Sequence, residues 1–475
     1  MTFTIQNTDY ISAGAAAGFH FQANGDSWAL TAGTTFATTN AIAVYGQGAN
    51  YADLTALVDG NIYAAGVAVL LGGARNDVII GVTGSVTTTG TYLGESAIYV
   101  GFGGSVVNRG SITSTGIGVS ISGSSLIDNS GTITGRTNGV FIGPDNGGGT
   151  VLINSGLISG GQHGNDVASS RFYHGVQVEG AATRIVNHGT ITATDIAGAG
   201  VNLGADFGGI YGAAGSTVEN YGAISSVLFW GIDMINMALA AGAIYNHGLI
   251  SGGAGGLRGS TLADTVRNSG TIQGNVALGA GSDSFDGHAG TVAGWVMGGD
   301  GEDSVTGGAL DDLLTGDLGY DLLIGKAGED VLYGGQQDDT LRGGGGDDTL
   351  LGEGENDLLN GGAGDDLLYG GSGRDISTGG TGADQFIFTI GLELGSGANR
   401  DLITDFGSGD LVDLRMVSFG MVFIGSAAFS GLAKEVRYSK ATGLLSIDSN
   451  GDGLMNYQIE FTNHAALTAT DFLLG

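Results

Sequence analysis

The tract 298–387 constrains this chain more than any other part. It divides without a gap into ten blocks of nine: GGDGEDSVT, GGALDDLLT, GDLGYDLLI, GKAGEDVLY, GGQQDDTLR, GGGGDDTLL, GEGENDLLN, GGAGDDLLY, GGSGRDIST and GGTGADQFI. The sixth place is aspartate in all ten: Asp303, Asp312, Asp321, Asp330, Asp339, Asp348, Asp357, Asp366, Asp375 and Asp384. The eighth is apolar in nine, with Ser377 the exception. Each block reads as half a coil. Glycines let the backbone turn where a β-carbon would clash. The apolar eighth residue points inward from a short strand. The aspartate supplies a hard oxygen beside carbonyls that the turn exposes.

Charge extends the argument. Residues 298–387 hold 20 Asp/Glu and 3 Lys/Arg, so −17 of the chain's −32 lies here. Stacking that charge without cations is strongly unfavourable. Hard oxygens at this density suit Ca²⁺, which takes six to eight such ligands in flexible geometry. The metal is expected to be part of the fold. The acidic excess also argues against nucleic acid, whose phosphates would be repelled, and against electrostatic attachment to anionic lipid.

The tract resembles the RTX, or haemolysin-type, calcium-binding repeat family, with its pattern GGxGxDxUx. The resemblance implies a parallel β-roll with several Ca²⁺ ions between turns, and the ten aspartates as ligands. Leu310, Gln337 and Glu355 replace the fourth-position glycine, and Asp317, Lys326 and Glu353 the second. Weaker binding is expected at those turns.

Upstream runs a looser repeat, N-x-G-x-I: NRGSI (108–112), NSGTI (129–133), NSGLI (154–158), NHGTI (187–191), NYGAI (220–224), NHGLI (246–250) and NSGTI (268–272), with degenerate copies at 58–62 and 82–86. The central glycines, from Gly60 to Gly270, are 21 to 33 residues apart. Such periods fit coils of a right-handed parallel β-helix with loops of variable length. The asparagine is expected to stack coil on coil and cap the bend, with Ile and Val filling the core. LGAGSDSFDG (278–287) already carries a roll-like fragment, so the helix is expected to run directly into the roll. The fold read from sequence is all-β: a parallel β-helix over 1–297, a calcium-binding β-roll over 298–387, and a β-rich C-terminal region over 388–475.

That last region is similar to the one following RTX repeats in serralysin-like secreted proteins, at DLITDFGSGDLVDL (401–414) and LSIDSNGDGLMNYQIEF (445–461). Its ending, LTATDFLLG, resembles signals read by type I (ABC-transporter) secretion systems. The series Asp448, Asn450, Asp452 suggests an EF-hand loop, but the twelfth position is Ile459, with Glu460 one place late. A hairpin turn is the preferred reading. There is no cysteine, so no disulfide. The start, MTFTIQNTDYISAG, has neither a positive cluster nor an apolar core, so no secretory signal peptide is expected there. No run of eighteen apolar residues occurs, and no membrane span is expected. A chain that compacts only with Ca²⁺ stays open in cytoplasm and folds outside, which suits export as an unfolded thread. The expected location is extracellular or at the cell surface.

The familiar catalytic signatures are missing: HExxH, G-x-S-x-G, a Walker loop and the D-P-H core of mannuronan epimerases. Each coil nonetheless holds a further strand of form G-[VI]-x-[VIML], whose middle residue points outward. That outward row reads Tyr99, Gly118, Phe141, Gln177, Tyr211, Asp233, with His174 and Trp230 just before the strand glycines. Two stretched turns add His163, Asp166, Arg171, Tyr173 and His174, then Asp206 and Phe207. Rings with carboxylates and amides on a long face suit a sugar polymer. Tyr99, Phe141, Tyr173, Gln177, Tyr211 and Trp230 are candidate substrate contacts. Asp206 with Asp233 is the first candidate acid/base pair for glycoside hydrolysis, and His174 with Arg171 the alternative, for an elimination. Every β-helix has outward residues, so these positions equally suit plain scaffold.

The architecture is similar to secreted exopolysaccharide glycanases that join a β-helix to RTX repeats, an analogy of fold and not of site. Three readings stay open: a calcium-dependent glycanase or lyase acting on extracellular polysaccharide, a non-catalytic matrix protein or adhesin that binds glycans, and a surface-layer-like subunit.

Overall fold

The computed structural model describes the chain except residues 1–2, 7–9, 13–18, 21–25, 39–41, 47–51, 91–94, 144–148, 162–173, 180–182, 195–200, 203–214, 235–241 and 390–394. It is all-β, built from parallel solenoid coils. Among the described residues the only helical turns are two short 3₁₀ segments, Gly397–Asn399 and Ala469–Asp471. No described helix is long and apolar enough to cross a membrane. The chain forms two compact units, Met1–Val276 and Ala277–Gly475.

In the first unit each regular coil has three strands, one in each of three parallel sheets. One coil shows the pattern: Ser105–Asn108, Ser111–Ser114 and Ile117–Ser122. The next repeats it with Leu126–Asn129, Thr132–Gly135 and Val140–Gly143. The N-x-G-x-I signature is the bend between the first and second sheets. Asparagine ends one strand, and isoleucine sits inside the next.

Packing follows the period of two that a strand imposes. Ile112, Ile133, Ile158, Ile191, Ile224, Ile250 and Ile272 are fully buried and lie in register, coil upon coil. Burying each such side chain contributes roughly 1.5–3 kcal/mol.

At the bend, the asparagine column is continuous. Asn108, Asn129, Asn154, Asn187, Asn220, Asn246 and Asn268 are almost wholly buried. The Nδ2 of each of the first six donates to the Oδ1 of the next at 2.7–2.8 Å. The column stops at Asn108 because the preceding coil places Ile80 at that register, and Asn108 Oδ1 finds no donor. The glycine two places on is a close approach of coils. A β-carbon at Gly131, Gly156, Gly189 or Gly222 would lie 2.0–2.1 Å from the equivalent carbonyl one coil back. The residue between Asn and Gly faces out, and His188, Tyr221 and His247 stack there with centroids 4.8 Å apart.

In the second unit the coil shortens. Strands pair with a register of eighteen residues: Leu313 with Val331, Thr349, Leu367 and then Gln385 on one face, and Leu322 with Thr340, Leu358 and Ile376 on the other. Two nonapeptides therefore make one turn. The eighth-position residues Leu314, Leu323, Leu332, Leu341, Leu350, Leu359 and Leu368 are all buried. Beyond the repeats, Glu435–Ser439, Leu444–Asp448 and Tyr457–Phe461 form an antiparallel meander. Asp448 caps its turn, its two oxygens accepting the N–H groups of Gly451 (2.6 Å) and Gly453 (2.8 Å). Glu460 reaches Arg400 instead, at 2.7 Å. The preferred reading of this segment as a hairpin holds.

Candidate metal centre

The coil of eighteen brings the sixth-position aspartates into two columns. The backbone N–H of each donates to the Oδ1 of the aspartate one coil on, at 2.7–3.0 Å from Asp303→Asp321 through Asp366→Asp384. One column runs Asp303, Asp321, Asp339, Asp357, Asp375. The other runs Asp312, Asp330, Asp348, Asp366, Asp384. All ten lie at 8% exposure or less.

The second oxygen differs from the first. In Asp303, Asp321, Asp330, Asp339, Asp348, Asp357, Asp366 and Asp384 the Oδ2 is buried and has no hydrogen-bond donor. It sits over the first glycine of its own block. A β-carbon at Gly316, Gly325, Gly343, Gly352, Gly361 or Gly379 would lie 2.2 Å from that oxygen. The same spot faces a carbonyl of the following coil, Gly334 O for Gly316 at 2.6 Å and Gly370 O for Gly352 at 2.4 Å. The absent side chain leaves a cradle lined by a carboxylate and a carbonyl oxygen.

A dry carboxylate with no counter-charge holds a proton or calls for a cation. Burial pushes the carboxyls of Asp321, Asp330, Asp339 and Asp366 up to about 7, Asp348 to about 6 and Asp357 to about 8. Backbone N–H donors oppose the rise, and neighbouring carboxylates add to it. Asp303, Asp312 and Asp384 are raised for the same first reason, burial.

These residues fit Ca²⁺. Its ligands are hard oxygens, in number and angle loosely fixed. Zinc asks for nitrogen and sulfur, and the tract 298–387 holds neither histidine nor cysteine. Among the described residues no three His, Asp or Glu side chains converge on one point. A cation here would draw on the aspartate Oδ2 and complete its shell from the turn carbonyls. Its chemistry would be charge neutralisation between coils.

Five of the six glycine replacements keep the glycine backbone. Asp317, Lys326, Gln337, Glu353 and Glu355 have φ between 71° and 92°, a region that L side chains rarely adopt. Stacking forces the shape, whichever residue stands there. The sixth, Leu310, breaks the pattern. Its block carries the one sixth-position aspartate whose Oδ2 accepts an N–H, from Gly308 at 2.6 Å.

The columns also run past the repeats. Asp283 N–H donates to Asp303 Oδ1, Asp375 N–H to Asp401 and Asp384 N–H to Asp410, at 2.7, 3.0 and 3.1 Å. Asp401 and Asp410 stand 26 residues on, not eighteen, which hides them from a nine-residue scan. The fragment at 278–287 was the only signal for Asp283.

Of the candidate polysaccharide residues, Tyr99, Phe141, Gln177, Trp230 and Asp233 lie on the third sheet of the first unit. The register of that sheet runs Tyr99, Ser120, Phe141, Gln177, Asn202, Asp233, Arg258. Ser120, not Gly118, holds the second rung, because the segment in register with 139–142 is 118–121, two places on from the leading G-I-G-V. Asn202 holds the rung assigned to Tyr211. Tyr99, Phe141 and Trp230 are half-buried. His174 is fully buried, and its backbone N–H donates to Asn138 Oδ1 at 2.8 Å. Gln177 is buried and held by Asn138 and Glu179. Asp233 is 1% exposed and binds Arg258 through both oxygens, at 2.9 and 2.5 Å. Arg171, Tyr173, Asp206 and Tyr211, with His163, Asp166 and Phe207, lie outside the described residues. Arg258 was not found from sequence, since its partner is 25 residues away with no local motif between them.

The family described as RTX calcium-binding nonapeptide repeat (4 copies) matches residues 293–323, 321–350 and 351–386. No curated protein matches the chain. Among solved structures, the AlgE6R3 subunit of the Azotobacter vinelandii mannuronan C5-epimerase is similar at 33% identity, covering 29% of this chain and 78% of that one, with a TM-score of 0.23. The AlgE6R2 subunit of the same enzyme is similar at 24% identity, covering 38% of this chain and 91% of that one, with a TM-score of 0.19. The aspartate columns, the eighteen-residue register and the family match agree: across 293–386 the chain is built of RTX calcium-binding nonapeptide repeats, within an all-β architecture of parallel coils.

Proposed function

We propose that the chain is a secreted, calcium-dependent β-solenoid protein that acts on extracellular polysaccharide by binding it. The observation that carries this reading is the third sheet of the first unit, where Tyr99 and Phe141 stand on one outward row and Trp230 opens the strand of Asp233, all three half-exposed rings. Rings suit the apolar faces of sugars, and a row of coils suits a polymer. Calcium belongs to the same reading. Eight buried oxygens without donors favour a chain that is open where Ca²⁺ is scarce and compact outside the cell. Export as an unfolded thread, through a type I ABC transporter, follows from that.

Binding without cleavage is favoured over the glycanase or lyase reading by one contact. Asp233 is held on both oxygens by Arg258. A carboxylate engaged on both oxygens and 1% exposed presents neither to a bound polymer. In the catalytic reading, Asp206 with Asp233, or His174 with Arg171, would still carry the chemistry. The test is to incubate the pure protein with extracellular polysaccharides in millimolar Ca²⁺. Retention of polymer with constant viscosity and no new reducing ends is expected. Falling viscosity that Asp233→Asn abolishes would establish the enzyme, and ordered arrays by electron microscopy the surface-layer reading.

A further inference from the structure

We propose that Phe229, Trp230 and Arg258 form a subsite for one ring of an uncharged glycan, with Asp233 as the residue that positions Arg258. The inference rests on the polysaccharide reading and deepens it. Trp230 stands at the register of Gly255 on the next coil. Its indole lies flat there, since a β-carbon at Gly255 would fall 2.2 Å from the ring carbon Cζ3. Glycine at 255 therefore makes a seat for the ring, which is half-buried. The Arg258 guanidinium carbon lies 5.3 Å from the Phe229 ring centroid and 5.8 Å from that of Trp230, within the range of a cation–π contact.

Asp233 fixes the geometry. Its oxygens take Arg258 Nε at 2.9 Å and Nη2 at 2.5 Å. The side chain of the acid is 2% exposed and that of the arginine 27%. This leaves the Nη1 group of Arg258, which the Asp233 carboxylate does not take, on a guanidinium held beside the two rings. Val227 and Leu228, on the same turn, are 57% and 54% exposed. The turn thus offers two rings, an apolar shelf and a guanidinium held in one orientation.

A pyranose matches that set. Its C–H face stacks on an indole, and its equatorial hydroxyls accept N–H bonds at the ring edge. The charge balance selects among sugars. Asp233 neutralises Arg258, and residues 1–297 hold 17 Asp/Glu against 7 Lys/Arg, a net of −10. A polyuronate would meet repulsion with little local compensation, so the ligand class is a neutral glycan.

The experiment is affinity electrophoresis of the full chain in Ca²⁺ through gels holding a neutral glucan, a neutral galactomannan or a polyuronate, with circular dichroism to check each variant's fold. Wild type is expected to be retarded by a neutral polymer. Trp230→Ala weakens this about tenfold, the size of an aromatic anchor. Trp230→Phe, which keeps a ring, restores most of it. Arg258→Lys, which keeps the charge and loses the planar fork, weakens it several-fold. Tyr63→Ala, on the second sheet, leaves it unchanged. Retardation equal in wild type and Trp230→Ala overturns the subsite and leaves the polysaccharide reading standing. Retardation by polyuronate alone overturns the neutral-glycan assignment. Retardation by no polymer overturns the function and the subsite together.

Discussion

Single glycines in the roll have separable duties. In the run Gly343–Gly344–Gly345 each does something different. A β-carbon at Gly343 would meet Asp348 Oδ2 at 2.2 Å, and Gly344 has φ +122°. Gly345 has its nearest neighbour 3.9 Å away. Gly343→Ala is therefore expected to destabilise the calcium-loaded roll by about 1–3 kcal/mol, as overpacking does. Gly345→Ala should change it by less than about 0.5 kcal/mol. Urea unfolding of both variants checks this, and equal effects would contradict the cradle at Asp348. Ser377 is another position with a distinct cause. It stands at an inward place and borders a cavity of about 10 Å³ with Leu368, Phe386 and Asp375. Ser377→Val should raise stability by about 1 kcal/mol through the apolar area it buries, read as a higher melting temperature.

At the scale of elements, the asparagine column should behave as a chain of dependent links. Asn187 accepts from Asn154 and donates to Asn220. Its removal strands two buried polar groups, at about 1–3 kcal/mol each. Asn108 lies at the column's end and accepts from no donor, so Asn108→Ala should cost less than Asn187→Ala in denaturant unfolding. This column was legible in the sequence because the bend needs asparagine and glycine at a fixed offset, whatever the loop lengths between. The aspartate columns were legible because eighteen residues close a turn with no insertion. Where an insertion intervenes, at Asp401 and Asp410, the period fails while the spatial column continues. The third sheet was harder. Its phase depends on loops of unequal length, so the row was misplaced at Gly118. Asp233 was legible as an outward carboxylate, whereas its partner Arg258 arrives only through packing of the next coil.

For the whole molecule, the buried carboxyls that would hold calcium are also proton sites. Burial raises the folded-state values of Asp321, Asp330, Asp339, Asp348, Asp357 and Asp366 to between about 6 and 8, from an ordinary 3.8. The folded roll then holds protons more tightly than the unfolded chain. That contribution is complete below about pH 4 and is lost as pH rises through 6–8. A chelated sample should accordingly melt higher at pH 5 than at pH 8. With Ca²⁺ present, deprotonation favours the metal, and stability should rise over 6–8. Melting curves on a pH series, with and without chelator, check the two slopes. The most direct test of the central claim, that metal ions hold the aspartate columns together, is the far-UV circular dichroism of the full chain at pH 8, in millimolar Ca²⁺ and in excess chelator. The account predicts a large loss of β signal and a lower melting temperature on chelation, reversed when Ca²⁺ is restored. Identical spectra and melting in both conditions would contradict it.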